Sequence, residues 1–459
     1  MARRFDAIII GSGQAGPALA ARLTKAGRTV AFVEREHFGG TCVNDGCIPT
    51  KALVASAQAA FVARRHADFG VTLHGAVGVD MKAVKARKDA IVMASVDGVT
   101  NWVRGMPGLC VFWGQARFTG PHAVTVNGEA LEAERIFINV GGRPFVPDWP
   151  ALQTLPYLTN TSMMDVDFLP EHLVIIGGSY IGLEFAQMYR RFGSRVTVVE
   201  QGPRLIGRED EDVAAAVQEI LAAEGIEFRL NARCIGVAAR EGGVTVAADC
   251  ASGAPAIDGS HVLLAIGRRP NTDDLGLDAA GIETDERGYI MVDDQLRSSV
   301  PGVWAMGDVN GRGAFTHTAW NDYEIVAANL LDDDPRRLTE RIPAYALFID
   351  PPLGRAGLSE REVRASGRRA LVGRMAMSRV GRARERGETL GFMKVLVDAE
   401  TRKILGAALL GLNGDEIVHS LLDVMYADAP YTVISRAVHI HPTVTELIPT
   451  LLQKLVPLD

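Results

Sequence analysis

The sequence contains two cysteines, Cys42 and Cys47, that are separated by four residues. A disulfide stabilises a fold mainly by closing a long loop, so a bond between these two residues would add little stability. A structural zinc site needs four ligands, and no second cysteine or histidine pair with suitable spacing follows. The spacing therefore favours thiol-disulfide exchange, in which a thiolate attacks a disulfide, and it predicts no metal site.

The composition indicates a globular protein. The chain has 459 residues, 47% of them apolar, and a formal charge of −7; this length suggests roughly three domains. Lysines and arginines do not cluster with aromatic residues, so we expect no nucleic-acid partner. No apolar run is expected to span a membrane. Five cysteines are too few for an extracellular disulfide framework, and we expect a cytoplasmic protein.

A glycine motif just upstream of the cysteines predicts a dinucleotide-binding unit. A β-rich run over residues 5–10 leads into Gly11, Gly13 and Gly16, and a helical stretch follows. These glycines suit a tight turn, close approach of a pyrophosphate to the helix N-terminus, and close packing of helix on strand. Glu34, at the end of the next predicted strand, is placed to hold ribose hydroxyls.

A second copy of this motif contains Gly177, Ser179 and Gly182, with Glu200 at the same offset that Glu34 has in the first copy. Ser179 replaces the middle glycine, so we expect a slightly more distant pyrophosphate.

A third match supports the internal repeat. Residues 138–144, which contain Gly141, resemble residues 264–270, which contain Gly267. The repeats predict two nucleotide-binding domains.

Glu200 also bears on the choice of coenzyme. Its carboxylate favours a free 2′-hydroxyl and repels a 2′-phosphate, so NADH is expected rather than NADPH. Arg204 and Arg208 follow closely, and they keep NADPH open as an alternative.

Near the carboxyl end, His441 is followed by Pro442 and, a few residues later, by Glu446. Pro442 fits the first position of a helix, with His441 just outside it and Glu446 about one turn in. A carboxylate there can orient the imidazole and stabilise its protonated form. A capped helix with an acidic first turn is the alternative interpretation.

The segment Gly40–Lys51, together with these motifs, resembles the flavoprotein disulfide reductases, which include glutathione reductase, dihydrolipoamide dehydrogenase and mercuric reductase. The resemblance implies an α/β fold with two Rossmann-like, doubly wound nucleotide-binding domains and a C-terminal α+β interface domain. It places an FAD-binding domain at 1–147 and 268–335, an NAD(P)-binding domain at 148–267 and the interface or dimerisation domain at 336–459.

The resemblance also implies a catalytic circuit. Reduced nicotinamide gives hydride to FAD, and both electrons pass to a Cys42–Cys47 disulfide, with Cys47 beside the flavin and Cys42 meeting the substrate. His441, oriented by Glu446, acts as acid and base at the disulfide of the other subunit, so the active site requires a homodimer.

Further cofactor contacts follow from the same resemblance. Lys51 is expected near the flavin, paired with Glu184, and Tyr180 is expected to cover the nicotinamide pocket. His317 is either a cofactor contact or a residue of the cap of a helix expected from about Ala319. The other implied FAD contacts are Thr41, Gly141 and Asp308.

Departures from the named relatives bear on the electron acceptor. No cysteine follows Cys250, so the carboxy-terminal pair of mercuric reductase proper is missing, and Ala21 stands where glutathione-reducing members place an arginine. The segment 318–325 looks like the mercuric reductase-like flavoproteins of bacteria. A small disulfide is the expected acceptor. Three alternatives to a small disulfide remain: reduction of a metal ion of the copper or mercury type, reduction of a quinone, and dihydrolipoamide dehydrogenase activity.

Overall fold

The computed structural model describes residues 1–249 and 255–458. Its amino-terminal part is built on a mixed sheet, whose central strands are parallel. The strands lie in the order Leu109–Trp113, Val30–Glu34, Arg3–Ile10, Glu129–Ile138, Ala123–Val126 and Ala116–Gly120, and Val303–Ala305 pairs with Glu129–Ile138. The second half of the central strand, residues 7–10, is apolar and buried without alternation because both faces of the sheet are covered there.

A second parallel sheet carries the second glycine motif. Its strands lie in the order Glu227–Arg229, Arg195–Val199, His172–Ile176 and His261–Leu264. An antiparallel sheet packs beside it, with the strands Arg233–Arg240, Gly243–Asp249 and Ala256–Gly259.

Two short strands, Gly142–Pro144 and Arg268–Pro270, form an antiparallel ribbon between these sheets. They are corresponding parts of the two repeat segments recognised in the sequence. Arg143 is the register partner of Arg269, so the repeats pair with each other.

The carboxy-terminal part contains an antiparallel sheet. Its strands lie in the order Ala344–Leu347, Leu353–Gly357, Ile404–Leu410, Phe392–Asp398, Ala370–Ala376 and Val456–Pro457. A mixed sheet with a parallel centre and a second, parallel sheet, followed by this antiparallel sheet, confirm the predicted fold class. The domain boundaries at 147, 267 and 335 stay predictions.

The α-helices of the described part of the chain are Ala15–Lys25, Gly40–Asn44, Cys47–Arg64, Met81–Arg104, Tyr180–Phe192, Glu211–Ala223, Leu277–Ala280, Thr316–Leu331, Glu360–Ala365, Gly381–Glu385, Gly414–Tyr426, Thr432–Ser435 and Leu447–Leu452. The 3-10 helices there are His66–Phe69, Pro150–Gln153, Ser162–Asp165, Gly307–Asn310, Leu338–Glu340 and Met377–Arg379.

One hydrophobic cluster connects all three parts of the chain. Leu53 of the helix Cys47–Arg64 shares it with Ile175 of the second parallel sheet and Leu347 of the antiparallel sheet. The three parts are thereby held around a common space, which is where the functional residues lie.

The expectation about membrane spans needs a correction. Residues Gly40–Arg64 reach a mean hydropathy of 1.2 over a length that could cross a membrane, judged by length and composition alone. The structure interrupts this stretch at Asp45 and Gly46, so that it forms two helices. Leu53 and Ala57 of the second helix are buried in the cluster just described. Of the apolar window, 28% is buried, so one part of the helix packs on the cluster.

Candidate functional site

A cavity of about 1300 Å³ lies where the three parts of the chain meet. Predicted site residues that line it are Gly11, Gly13, Glu34, Thr41, Cys42, Cys47, Lys51, Gly141, Tyr180, Glu184, Asp308 and His317. A smaller cavity, of about 350 Å³, lies over the second glycine motif and is lined by Ser179 and Glu200 among others. The predicted residues that line neither cavity are Gly16, Gly177, Gly182, Gly267, His441 and Glu446.

The first glycine motif forms a turn too tight for larger side chains. Gly11 has a φ of +96°, and a Cβ there would lie 2.4 Å from the carbonyl oxygen of Asn139. A Cβ on Gly13 would lie 2.8 Å from Asn139 Oδ1, and one on Gly16 would lie 2.5 Å from Gly11 O. Asn139 fixes the turn, because its Oδ1 accepts from Gly16 N at 3.0 Å and its Nδ2 donates to Met306 O at 2.9 Å. The turn fits a pyrophosphate, which the following helix N-terminus favours.

Glu34 lies at the edge of the larger cavity and organises the backbone around this turn. Its Oε2 accepts from Ser12 N at 2.9 Å and from Ser12 Oγ at 2.6 Å. Its Oε1 accepts from Arg35 N at 2.7 Å and from Glu36 N at 2.8 Å. A ribose hydroxyl would share this carboxylate with the protein donors.

The second glycine motif repeats the close packing. Gly177 has a φ of +115°, and a Cβ there would lie 2.3 Å from Ala265 O. A Cβ on Gly182 would lie 2.1 Å from Gly177 O. Ser179 precedes the helix Tyr180–Phe192 and occupies its N-cap position. The smaller cavity in front of this helix N-terminus fits a second dinucleotide.

Glu200 lines the smaller cavity. Its Oε2 accepts from Gly178 N at 2.7 Å, and its Oε1 accepts from Gly202 N at 2.7 Å. Arg204, the nearest candidate for binding a 2′-phosphate, donates to Glu211 Oε1 at 2.9 Å. Its positive charge is therefore partly neutralised by Glu211.

The two cysteines lie on either side of a sharp turn between two helices. Cys42 belongs to the helix Gly40–Asn44, and Cys47 is the first residue of the helix Cys47–Arg64. Both are free thiols in the structure. The sulfur of Cys47 lies 3.2 Å from Thr316 Oγ1. The sequence prediction did not include Thr316.

The two thiols are electrostatically different. The pKa of Cys47 is lowered to about 6. The main cause is a hydrogen bond that the Cys42 thiol donates to the Cys47 sulfur, and the Thr316 hydroxyl and the charge of Lys51 act in the same direction, whereas burial opposes the shift. The same contact, with burial, raises the pKa of Cys42. A helix N-terminus also favours a thiolate. In the dithiol state, Cys47 is the thiolate and Cys42 is the thiol.

Lys51 and Glu184 form the predicted ion pair. Lys51 Nζ lies 2.8 Å from Glu184 Oε2, and the ammonium also lies 4.4 Å from the centre of the Phe348 ring. The backbone N–H of Phe348 donates to Glu184 Oε1 at 3.0 Å. Each Glu184 oxygen thus has a partner, and the pair borders the cavity that holds the cysteines.

Asp308 and His317 lie on two elements that face the same cavity. Asp308 is part of the 3-10 helix Gly307–Asn310, and burial raises its pKa while Arg268 nearby opposes the shift. The helix predicted from about Ala319 begins at Thr316, so His317 lies in its first turn. His317 Nε2 donates to Ala344 O at 2.7 Å, and burial lowers the pKa of the imidazole.

His441 and Glu446 contact each other but lie away from the cysteines of their own chain. His441 Nδ1 donates to Glu446 Oε2 at 2.9 Å, and the imidazole is 80% exposed. The prediction that Pro442 begins a helix is wrong. The helix begins at Leu447, with Glu446 at its N-cap position, because residues 441–446 form turns instead.

Tyr180 is the first residue of its helix and lines the larger cavity. Its hydroxyl donates to Glu209 Oε1 at 3.2 Å, and the hydroxyl of Tyr345 donates to the same oxygen at 2.6 Å. The two rings meet edge to face, with centroids 5.5 Å apart. Neither Glu209 nor Tyr345 was predicted.

Sequence reasoning could have found some of the missed residues. Asn139 stands two residues before Gly141 in the first repeat segment, and Thr316 directly precedes His317, which was selected. Glu209 and Tyr345 carry no such signal, because they are distant in sequence and meet only through the packing of the antiparallel sheet against the second parallel sheet.

Comparison with known families gives two matches that cover most of the chain. The family described as "Pyridine nucleotide-disulphide oxidoreductase" matches residues 5–322. The family described as "Pyridine nucleotide-disulphide oxidoreductase, dimerisation domain" matches residues 343–452.

Full-length relatives have several different names. A probable pyridine nucleotide-disulfide oxidoreductase RclA of Escherichia coli is 36% identical over 96% of this chain and 97% of its own length. A dihydrolipoyl dehydrogenase of Thermus scotoductus is 32% identical over 97% and 96% of the two chains. A mercuric reductase of Streptomyces lividans is 33% identical over 96% and 94%.

Solved structures agree with this result. The HOCl-induced flavoprotein disulfide reductase RclA from Escherichia coli superposes with a TM-score of 0.89 at 35% identity, covering 98% of this chain and 99% of the other. A Cu(II) complex of the same E. coli protein gives the same TM-score, identity and coverage.

Proposed function

Because the chain belongs to the pyridine nucleotide-disulphide oxidoreductase family, we propose that it passes two electrons from NADH, through FAD, to the Cys42–Cys47 pair and on to a small disulfide. Membership of the family makes the chain a flavoprotein oxidoreductase that uses a pyridine nucleotide and carries a dimerisation domain. The observation that carries the proposal is the arrangement of Cys47, whose low pKa and helix N-terminal position support a thiolate next to the Lys51–Glu184 pair.

The residues present fit both cofactors. The turn at Gly11 and Asn139 would hold the pyrophosphate of FAD, with Glu34 and Asp308 at the edge of the same cavity. The turn at Gly177 would hold that of the nicotinamide coenzyme. When bound, FAD accepts a hydride from the coenzyme and passes on electrons in pairs.

The thiols perform the exchange with the acceptor. In the dithiol state, one thiolate attacks the acceptor disulfide, releasing one product thiol and forming a mixed disulfide. The other thiol of the pair then displaces the second product thiol, and a Cys42–Cys47 disulfide forms. The balance is one acceptor disulfide reduced to two thiols for each pair of electrons that the reduced coenzyme supplies. We assign Cys42 to the attack on the acceptor, with His441 of the partner subunit accepting the Cys42 thiol proton. Cys47, the thiolate of the pair, is assigned to the position beside the flavin and to the displacement of the second product thiol.

The acceptor thiols must be protonated as they leave, and His441 is assigned to that task. Three observations support action across the dimer. The imidazole is 80% exposed, Glu446 orients it at 2.9 Å, and neither residue lines the cavity of its own chain. We propose that His441 completes the cysteine site of the other subunit.

We propose NADH as the coenzyme because Glu200 lines the smaller cavity with its carboxylate, which disfavours a 2′-phosphate. The ion pair of Arg204 with Glu211 supports the same choice, since it reduces the positive charge available to a phosphate.

An anaerobic titration with NADH tests the circuit. A Cys47 thiolate beside the flavin gives a long-wavelength charge-transfer absorbance, so we expect the wild type and the Cys42→Ser variant to show the band and the Cys47→Ser variant to lack it. Bleaching of the main flavin band without any long-wavelength absorbance in all three proteins would contradict the assignment of Cys47.

Reduction of a metal ion is the second candidate. Two neighbouring thiols suit a soft metal ion, and a Cu(II) complex is known for the similar E. coli protein. NADH oxidation with Cu(II) as acceptor, but not with a panel of small disulfides and lipoamide, would favour it. Preference for dihydrolipoamide as electron donor to NAD⁺ would instead indicate a dihydrolipoamide dehydrogenase, and preference for a quinone would indicate a quinone reductase.

A further inference from the structure

We propose that Glu209 and Tyr345 are positioning residues that set how readily Tyr180 gives way to the nicotinamide coenzyme. This inference rests on the proposed function and on the role that the family resemblance implies for Tyr180, which is to cover the nicotinamide pocket.

One oxygen of Glu209 is shared by two phenols. Tyr345 donates to Glu209 Oε1 at 2.6 Å and Tyr180 donates to the same atom at 3.2 Å. The longer bond belongs to Tyr180, the residue that must move when the coenzyme binds. The shorter one belongs to a residue on the strand Ala344–Leu347 of the antiparallel sheet.

The shared carboxylate is completely shielded from solvent. Its side chain has an exposed fraction of 0%, and its second oxygen accepts no hydrogen bond within the described residues. The nearest cation is the guanidinium of Arg355, whose Nε lies 3.7 Å from that oxygen. A buried carboxylate is stabilised mainly by the few hydrogen-bond donors that contact it. The two phenols therefore share one acceptor, Glu209 Oε1, and together they stabilise this carboxylate.

Both phenols stay protonated and able to donate. Burial raises the pKa of Tyr345 to about 12, with the charge of Glu209 adding to the effect. Burial likewise raises the pKa of Tyr180.

Tyr345 is held in place from its other side. Its ring stacks on that of Phe315, with centroids 5.6 Å apart and planes 11° apart. Phe315 in turn stacks on His317 at 5.4 Å. When Tyr180 moves, Tyr345 can keep its bond to Glu209, and the carboxylate retains one donor.

The arrangement predicts effects of opposite sign for two similar substitutions. Tyr345→Phe removes the shorter bond, so Tyr180 becomes the one phenol of the two that donates to Glu209 Oε1, and the covering position is favoured. Tyr180→Phe removes the bond that holds the covering position. Since the apparent dissociation constant rises as the binding-competent fraction falls, we expect weaker NAD⁺ binding in the first variant and tighter binding in the second, by about three- to tenfold each.

The experiment is calorimetric titration of the FAD-loaded enzyme with NAD⁺, and in parallel with NADP⁺, without turnover. The double variant Tyr180→Phe/Tyr345→Phe should bind NAD⁺ as Tyr180→Phe does, because Tyr345 acts through Tyr180. The control is Tyr189→Phe, on the same helix, whose ring packs at 5.6 Å from Phe192 and 6.5 Å from Phe185. It should bind like the wild type.

Shifts of the same sign in the two single variants, or an unchanged constant for Tyr345→Phe, would overturn this inference while leaving the proposed function intact. Failure of the wild type to bind either nucleotide would overturn the proposed function, and this inference with it. Thermal unfolding of each variant, compared with Tyr189→Phe, separates a change in binding from a loss of folding.

Discussion

The sulfur of Cys47 lies 3.2 Å from the hydroxyl oxygen of Thr316, and each residue is the first of its own helix. Two helix N-termini therefore point toward one sulfur. Each contributes a positive partial charge, and the Thr316 hydroxyl adds a hydrogen bond. This arrangement stabilises a thiolate without placing a fixed cation in direct contact with it.

We expect Thr316→Val to raise the pKa of Cys47, because the variant loses a hydrogen bond that lowers it. In the wild type the thiolate persists above pH about 6 and is lost as the pH falls through this value. In the variant the loss should begin about half a unit to one unit higher. The measurement is the pH dependence of the long-wavelength absorbance after anaerobic reduction. Thr316→Ser retains the hydroxyl and serves as the control; equal midpoints in the two variants would refute the role of the hydroxyl.

The Lys51–Glu184 pair should influence the same pKa with opposite signs. The positive charge of Lys51 lowers the pKa of Cys47, whereas the negative charge of Glu184 raises it. Lys51→Met should therefore shift the midpoint upward and Glu184→Gln should shift it downward, in the same spectroscopic titration. Shifts in one common direction would show that the charges act indirectly.

The same two substitutions should destabilise the fold. Glu184 is buried, but the Lys51 side chain is 34% exposed, so we expect a decrease of about 1–2 kcal/mol in the free energy of unfolding rather than the larger value of a fully buried pair. Lys85, which pairs with Asp89 one turn away on a helix surface, gives a matched control. Lys85→Met should cost less than about 0.5 kcal/mol, measured by urea unfolding.

Gly182→Ala should impair coenzyme binding, because the added Cβ would lie 2.1 Å from Gly177 O and displace the turn. We expect the dissociation constant of NAD⁺ to rise at least about tenfold, while the bound FAD is retained. Gly207 lines the smaller cavity, which lies in front of this turn, but a Cβ on Gly207 meets nothing within 4 Å. If Gly207→Ala weakened binding as much as Gly182→Ala, the close packing of the turn would not be the cause.

Mixed dimers test whether His441 acts across the subunit interface. Cys42→Ser and His441→Gln homodimers should each have little disulfide reductase activity. A heterodimer of the two variants contains one site with both native residues if the site is shared, and we expect about half of the wild-type activity. If each site used residues of one chain only, every site in the heterodimer would lack one group, and mixing would restore nothing.

Local patterns predicted the parts of the site that lie close together in sequence. The glycine turns, the strands on both sides of them and the Cys47 to Lys51 segment all fall where the sequence placed them. The family resemblance predicted an ion pair between Lys51 and Glu184, and the structure contains it. Periodicity alone could not have joined residues so far apart in the chain.

The failures have physical causes. The Pro442 segment satisfies the rules for a helix start, but the chain makes turns until Glu446. The segment Gly40–Arg64 has a mean hydropathy of 1.2, but the chain interrupts it at Asp45 and Gly46, and a part of it that includes Leu53 and Ala57 is buried. The contact of Tyr345 with Glu209 joins a strand of the antiparallel sheet to the loop before the helix Glu211–Ala223, and no local rule specifies it.

The ribbon formed by Gly142–Pro144 and Arg268–Pro270 has a consequence for the modular construction of the molecule. It places the beginning and the end of the intervening segment side by side, since Pro144 and Arg268 are register partners. The segment that carries the second glycine motif therefore leaves and re-enters the rest of the chain at one place, with its two ends hydrogen-bonded to each other. The connection at the ribbon is not the only link, because Lys51 and Glu184 also join this segment to the helix that carries Cys47. A change in the second glycine motif can therefore be transmitted to the cysteines through this ion pair as well as through the ribbon.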